Sequence, residues 1–129
     1  MVRTRSVCLD THVVIWLAGG LANKIDKASH ELINNADVII SSAVTLELQF
    51  LFEIGRISVS AVDVLRVLED ALALREAPES FHDVAHAALS ESWTRDPFDR
   101  LIVAHARLLG APLISHDRQI AAAYAETRR

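Results

Sequence analysis

A single cysteine, Cys8, closes no disulfide within this chain of 129 residues. It lies in the apolar run Ser6-Val7-Cys8-Leu9, where a small buried hydrophobe is the expected role. Aromatic residues are scarce, with four Phe, two Trp and one Tyr, so Leu, Ile, Val and Ala must fill the interior. No uninterrupted apolar stretch reaches the ~18 residues that a membrane-spanning helix needs. Near the start, Arg3 and Arg5 lead into an apolar run that Asp10 breaks, too short for a secretory leader. A cytoplasmic protein with no membrane association is expected. Internal repeats, low-complexity stretches and linkers are missing too, so a single domain over residues 1–129 is expected.

Apolar residues make up 51% of the chain, which excludes disorder and allows a substantial core. The formal net charge of −4 disfavours a polyanionic partner at first sight. From Arg95 onward, however, Arg95, Arg100, Arg107, Arg118, Arg128 and Arg129 stand against Asp96, Asp99, Asp117 and Glu126. Carboxylates engaged with a cation also cease to repel phosphate. Net charge therefore does not decide the matter.

The pattern of elements is α/β. Val7-Cys8-Leu9 reads as a strand ending at Asp10, followed by a helix through Leu17 that Gly19-Gly20 stops. A second helix is expected from Lys24 to about Asn35. Val38-Ile39-Ile40 is a buried strand, and Ser41-Ser42 caps a helix through Glu53 that Gly55 ends. Ser60 caps a helix from Ala61 to about Leu74, Arg75 to Ala77 is a short strand, and Phe81 to Leu89 is helical. Asp96-Pro97 opens a helix that Gly110 closes after Leu109. Pro112-Leu113-Ile114-Ser115 is a strand, and Asp117 opens the last helix. Short, wholly apolar strands alternating with helices imply a parallel sheet covered on both faces.

In such sheets functional groups gather beyond the carboxyl ends of the strands. Asp10 and Asp117 follow strands, Glu47 lies on the helix after the second strand, and Asp99 is in the first turn of the helix entering the last strand. Taken singly, Asp10, Asp96 and Asp117 have an ordinary role as N-caps, and Asp99 as an acid favouring a helix dipole. Glu47 is different, because at helical spacing it shares a face with Val44, Phe50, Leu51 and Ile54. Asp99 likewise shares one with Ile102, Val103 and Ala106. A carboxylate in an apolar stripe needs a cation, hydrogen bonds or a proton. With Pro97 at the first helical position, Asp96 is the cap, leaving Asp99 free as the ligand. An all-oxygen set suits Mg²⁺ or Mn²⁺ rather than zinc. His82 and His86 stand four residues apart but have no third ligand, and read as a solvated helix face. His12 and His116 adjoin Asp10 and Asp117 and are candidates for substrate contact.

Four segments together resemble a known family: Leu9 to Leu17, Ser42 to Glu47, Arg95 to Ala106 with its Asp-Pro-Phe-Asp-Arg core, and Leu113 to Asp117. In order and spacing they resemble the PIN-domain nucleases, and more narrowly the VapC-type toxins of bacterial toxin–antitoxin pairs. The resemblance implies a three-layer α/β/α sandwich around a parallel sheet of about five strands. It implies Mg²⁺-dependent endoribonuclease activity on an RNA substrate, a homodimer, and a VapB-like antitoxin that blocks the site. By matching position, Asp10, Glu47, Asp99 and Asp117 are the catalytic and metal-binding acids. Thr11, Ser42, Asp96 and His116 are supporting candidates, and Arg95, Arg100 and Arg118 are candidates for phosphate contact.

Two related readings are a stand-alone RNA-processing nuclease and a non-catalytic interaction module of the same fold. The latter would use the apolar run Leu46 to Ile54 to seat a partner. A phosphatase-type fold wants a second acid two residues after the first, where this chain has His12. A receiver domain needs a lysine after a late strand, and lysine occurs only at 24 and 27.

Overall fold

The computed structural model describes residues 5–129; Arg3, and with it the start of the expected domain, lies outside the described residues. The elements in order are β1 (Arg5–Leu9), α1 (Thr11–Ala18), a 3-10 turn (Ala22–Lys24), α2 (Lys27–Asn34), β2 (Ala36–Ile40) and α3 (Ser42–Glu53). They continue with α4 (Ala61–Leu72), β3 (Arg75–Glu76), α5 (Phe81–Ala88), α6 (Pro97–Leu109), β4 (Leu113–Ile114), α7 (Arg118–Ala123) and β5 (Thr127–Arg128).

The five strands form one parallel sheet in the order β3-β2-β1-β4-β5, with Val7 opposite Val38 and Leu9 opposite Ile114. Successive strand residues point to opposite faces, yet Val7, Cys8 and Leu9 are all at most 4% exposed. Val38, Ile39 and Ile40 behave the same way. Both faces of the central strands are therefore covered, giving the sheet flanked by helices that the apolar strands imply. The core runs from these strands to Val13, Val14, Val44, Leu48, Ile102, Val103 and Ile120. Among the described residues no helix is long and apolar enough to cross a membrane.

Most boundaries follow local chemistry. Asp96 caps α6 by accepting from the Phe98 and Asp99 amides, Pro97 occupies the first turn, and Gly110 at φ +62° closes it. The helix expected from Lys24 to Asn35 is shorter, because Ile25 takes an extended conformation and buries its side chain. β5 is not expected from the residue pattern, since Thr127–Arg128 carries no apolar run. It exists through pairing with β4.

One buried acid serves the fold alone. Glu91, 4% exposed, accepts from Arg107 Nε (3.0 Å) and Nη2 (3.2 Å) and from Trp93 Nε1 (2.9 Å). Arg107 in turn lies over the Tyr124 ring, 5.0 Å from its centroid. Glu91→Ala strands the guanidinium, although half of it reaches water. An expected loss of about 2 kcal/mol, below the usual cost of breaking a fully buried pair, is measurable by urea unfolding.

Candidate active site

The order of the strands reverses between β1 and β4: the chain builds β2 and β3 on one side of β1 and β4 and β5 on the other. Loops leaving the carboxyl ends of two such strands part there and open a crevice. Asp10 follows β1 and Ser115 follows β4, so the two meet at this point.

Asp10 is held rigidly. Its Oδ1 accepts from the Thr11 amide at 2.7 Å, and its Oδ2 accepts from Ser115 Oγ at 2.7 Å. Burial pushes its pKa up, while His12 and the bonds from Ser115 and Thr11 pull it down and Asp117 pushes it up. Ser115 Oγ also accepts from the Asp117 amide at 3.1 Å, so one hydroxyl joins both strand-end acids. Asp117 caps α7 by accepting from the Gln119 and Ile120 amides. Ser115, 1% exposed, escapes a reading of the sequence because its partner lies 105 positions away. Ser115→Ala leaves Asp10 Oδ2 with the His12 Nδ1 contact alone and is expected to cost about 1–2 kcal/mol in urea unfolding.

Glu47 reaches the same crevice from α3. Its Oε1 accepts from Thr11 Oγ1 at 2.5 Å, so Thr11, next to Asp10, ties the start of α1 to α3. Burial pushes the Glu47 pKa up, against the Thr11 bond, with Asp10 and Asp96 adding repulsion. The stripe expected beneath it is only partly buried: Val44 lines the core and Leu51 is half-buried, whereas Phe50 and Ile54 are exposed.

Asp99 is half-buried and takes no side-chain hydrogen bond from a described residue, unlike Asp96, which is exposed and spends Oδ1 on the α6 amides. Burial, followed by repulsion from Asp96, Asp10, Glu47 and Asp117, pushes its pKa up to about 7. All five acids therefore share one field. Among the described residues no three His, Cys, Asp or Glu side chains are gathered into a metal cage. A hydrated Mg²⁺ does not require one, since it keeps several waters and uses one or two carboxylates. The donor set fits such an ion in charge and hardness.

The histidines are otherwise engaged. His12 Nε2 accepts from the His116 amide at 3.0 Å, which leaves Nδ1 to donate toward Asp10 Oδ2 at 3.2 Å. Burial lowers the His12 pKa, Asp10 opposes this, and the imidazole joins the ends of β1 and β4 rather than facing substrate. His116 Nε2 donates to the Arg129 carbonyl at 2.9 Å, and Trp16 meets both rings edge-on, 4.9 Å from each. The available donors are thus oxygens.

Other candidates divide. The N-cap of α3 is Ser41; Ser42 is exposed and makes no hydrogen bond to the acids. Arg100 donates from Nε to the Ala88 carbonyl and from Nη2 to the Leu89 carbonyl, closing the end of α5. Its guanidinium is spent there. Arg95 donates to the Ser92 carbonyl, and Arg118, exposed in the first turn of α7, remains next to Asp117.

The PIN domain model matches residues 7–126 of the chain. Among solved structures, the chain is similar to VapBC2 from Rickettsia felis bound to a DNA fragment from their promoter. That likeness has 17% identity, a TM-score of 0.65, and covers 95% of this chain and 96% of the other. It is also similar to a domain of a functionally unknown protein from Methanocaldococcus jannaschii DSM 2661. Here the identity is 21%, the TM-score 0.58, and the coverage 95% of this chain and 86% of the other. At these identities the likeness is one of fold. No curated protein matches the sequence.

Proposed function

Because the chain belongs to the PIN domain family, we propose that it is a metal-dependent endoribonuclease and the toxin of a VapBC-type pair. Asp99 carries this reading. A half-buried carboxylate with no hydrogen-bond donor among the described residues, pushed up to about 7 by burial and then by four other acids, is a poor structural element and a good cation ligand. Asp10, Glu47, Asp99 and Asp117 would hold Mg²⁺ or Mn²⁺, with Asp96 as helix cap and outer acid. When bound, such an ion supplies Lewis acidity at a scissile phosphate.

The chain's own residues do the positioning. Ser115 and Thr11 fix Asp10, Thr11 fixes Glu47, and His12 locks the turn after β4 against β1. Arg118, exposed next to Asp117, would meet a phosphate there. A homodimer and a VapB-like antitoxin are the proposed partners. Phe50, Phe52 and Ile54, between 37% and 52% exposed on and just after α3, offer apolar surface for them. The Rickettsia felis relative, solved as VapBC2, accords with such a partner.

The test is cleavage of total bacterial RNA by partner-free protein. Cutting with Mg²⁺ or Mn²⁺ that stops in excess EDTA is expected. Full activity in EDTA, or no cutting with either ion, would sink the proposal.

A further inference from the structure

A second cavity adjoins the acids. It lies between α3, α5 and α6, has a volume of about 190 Å³, and is walled by Ala43, Leu46, Phe81, Val84, Phe98 and Leu101. Leu46 and Phe98 are chain neighbours of Glu47 and Asp99, so the cavity flanks the crevice, about 100° round each helix. Its size admits one planar ring system, well below the volume that drug-sized ligands occupy.

At its polar end Glu79 Oε1 accepts from His105 Nε2 at 2.8 Å. His105 is 3% exposed, and its Nδ1 is the buried side-chain atom without a partner among the described residues. Glu79 Oε2 takes no hydrogen bond from a described residue. The couple therefore contrasts with Glu91, whose bonds to Arg107 and Trp93 are complete. An apolar, aromatic slot ending in a carboxylate with a spare oxygen is built for a flat ligand with an N–H edge.

We propose that this cavity is a nucleobase subsite that selects guanine through Glu79, which rests on the ribonuclease reading of the adjoining acids. Guanine alone of the four bases presents two adjacent donors on its Watson–Crick edge, one for the free Glu79 Oε2 and one for the second lone pair of Oε1 beside His105. Adenine and cytosine put a ring acceptor beside their amino group, and uracil flanks its single N–H with carbonyls; each sets a lone pair against Glu79. Phe81 and Phe98 line the cavity, and an unstacked base resting against an aromatic side chain is the usual mode for single-stranded RNA. Ser42, idle toward the acids, lines the same cavity.

Two readouts separate this proposal from the reading it rests on. In EDTA, the full chain titrated with GMP, AMP, CMP and UMP under NMR observation should bind GMP roughly tenfold more tightly than the others, and Glu79→Gln should abolish that preference. With Mg²⁺ present, oligoribonucleotides varied at one position near a cut should be cleaved about tenfold faster with guanine there, again lost in Glu79→Gln. Equal affinity for the four nucleotides, or cleavage whose base preference Glu79→Gln leaves unchanged, overturns the subsite. GMP-selective binding without any RNA cleavage supports the subsite and overturns only the nuclease.

Discussion

Asp99→Asn is expected to lower RNA cleavage by at least about a hundredfold while making the metal-free protein more stable at neutral pH. The first half follows from removing a proposed metal ligand, since even outer-shell partners of a metal usually cost 10- to 100-fold. The second half follows from the acid's surroundings. Burial and four neighbouring carboxylates raise the Asp99 pKa from 3.8 to about 7 in the folded chain. A group raised on folding gives stability that is fully present below its unfolded value and is lost as pH rises through the folded one. Between pH 4 and 7 the metal-free protein should therefore weaken, and Asn, which cannot ionise, should remove the share of that slope that Asp99 contributes beside Asp10 and Glu47, whose pKa values are also raised. Allowing for solvent around a half-buried group, about 1–2 kcal/mol at pH 8 is reasonable, several degrees in Tm. Thermal unfolding in EDTA at pH 5 and 8 measures it. A destabilised Asn variant at pH 8 would contradict the account.

Adding Mg²⁺ or Mn²⁺ should reverse the same loss. An ion bound only by the folded chain stabilises it by about 2.7 kcal/mol when present at a hundred times its Kd. The gain should be larger at pH 8 than at pH 5, because at pH 5 Asp99 carries a proton that the ion must displace. Asp99→Asn should flatten this pH dependence and shrink the ion's effect. A Tm indifferent to both ions at pH 8 would argue that the acids hold no cation.

Much of this was legible in the sequence because capping and apolar runs are local. Asp10, Ser41, Ser60, Asp96 and Asp117 act as caps, and Gly110 ends its helix in the left-handed region. β5 was not legible, because a two-residue edge strand of Thr127 and Arg128 depends on β4 being beside it. Helical spacing placed Glu47 in an apolar stripe but could not tell core from surface, and Phe50 and Ile54 lie outside. Nor could it reveal that Arg100 seals the end of α5, or that His12 bridges two strand ends. Those depend on pairs far apart in the chain.

The Asp10–Ser115 bond has one more implication, for the order of events during synthesis. Its partners are 105 positions apart, and β1 is made long before β4. A growing chain that has reached Leu109 already carries Asp10, Glu47 and Asp99, yet has no strand to place beside β1 on that side. The half-built crevice lacks Ser115 and Asp117, and Asp10 Oδ2 has only His12 beside it. Contacts of such long separation form late and slowly. The crevice is therefore whole only once β4 has been made and has docked beside β1.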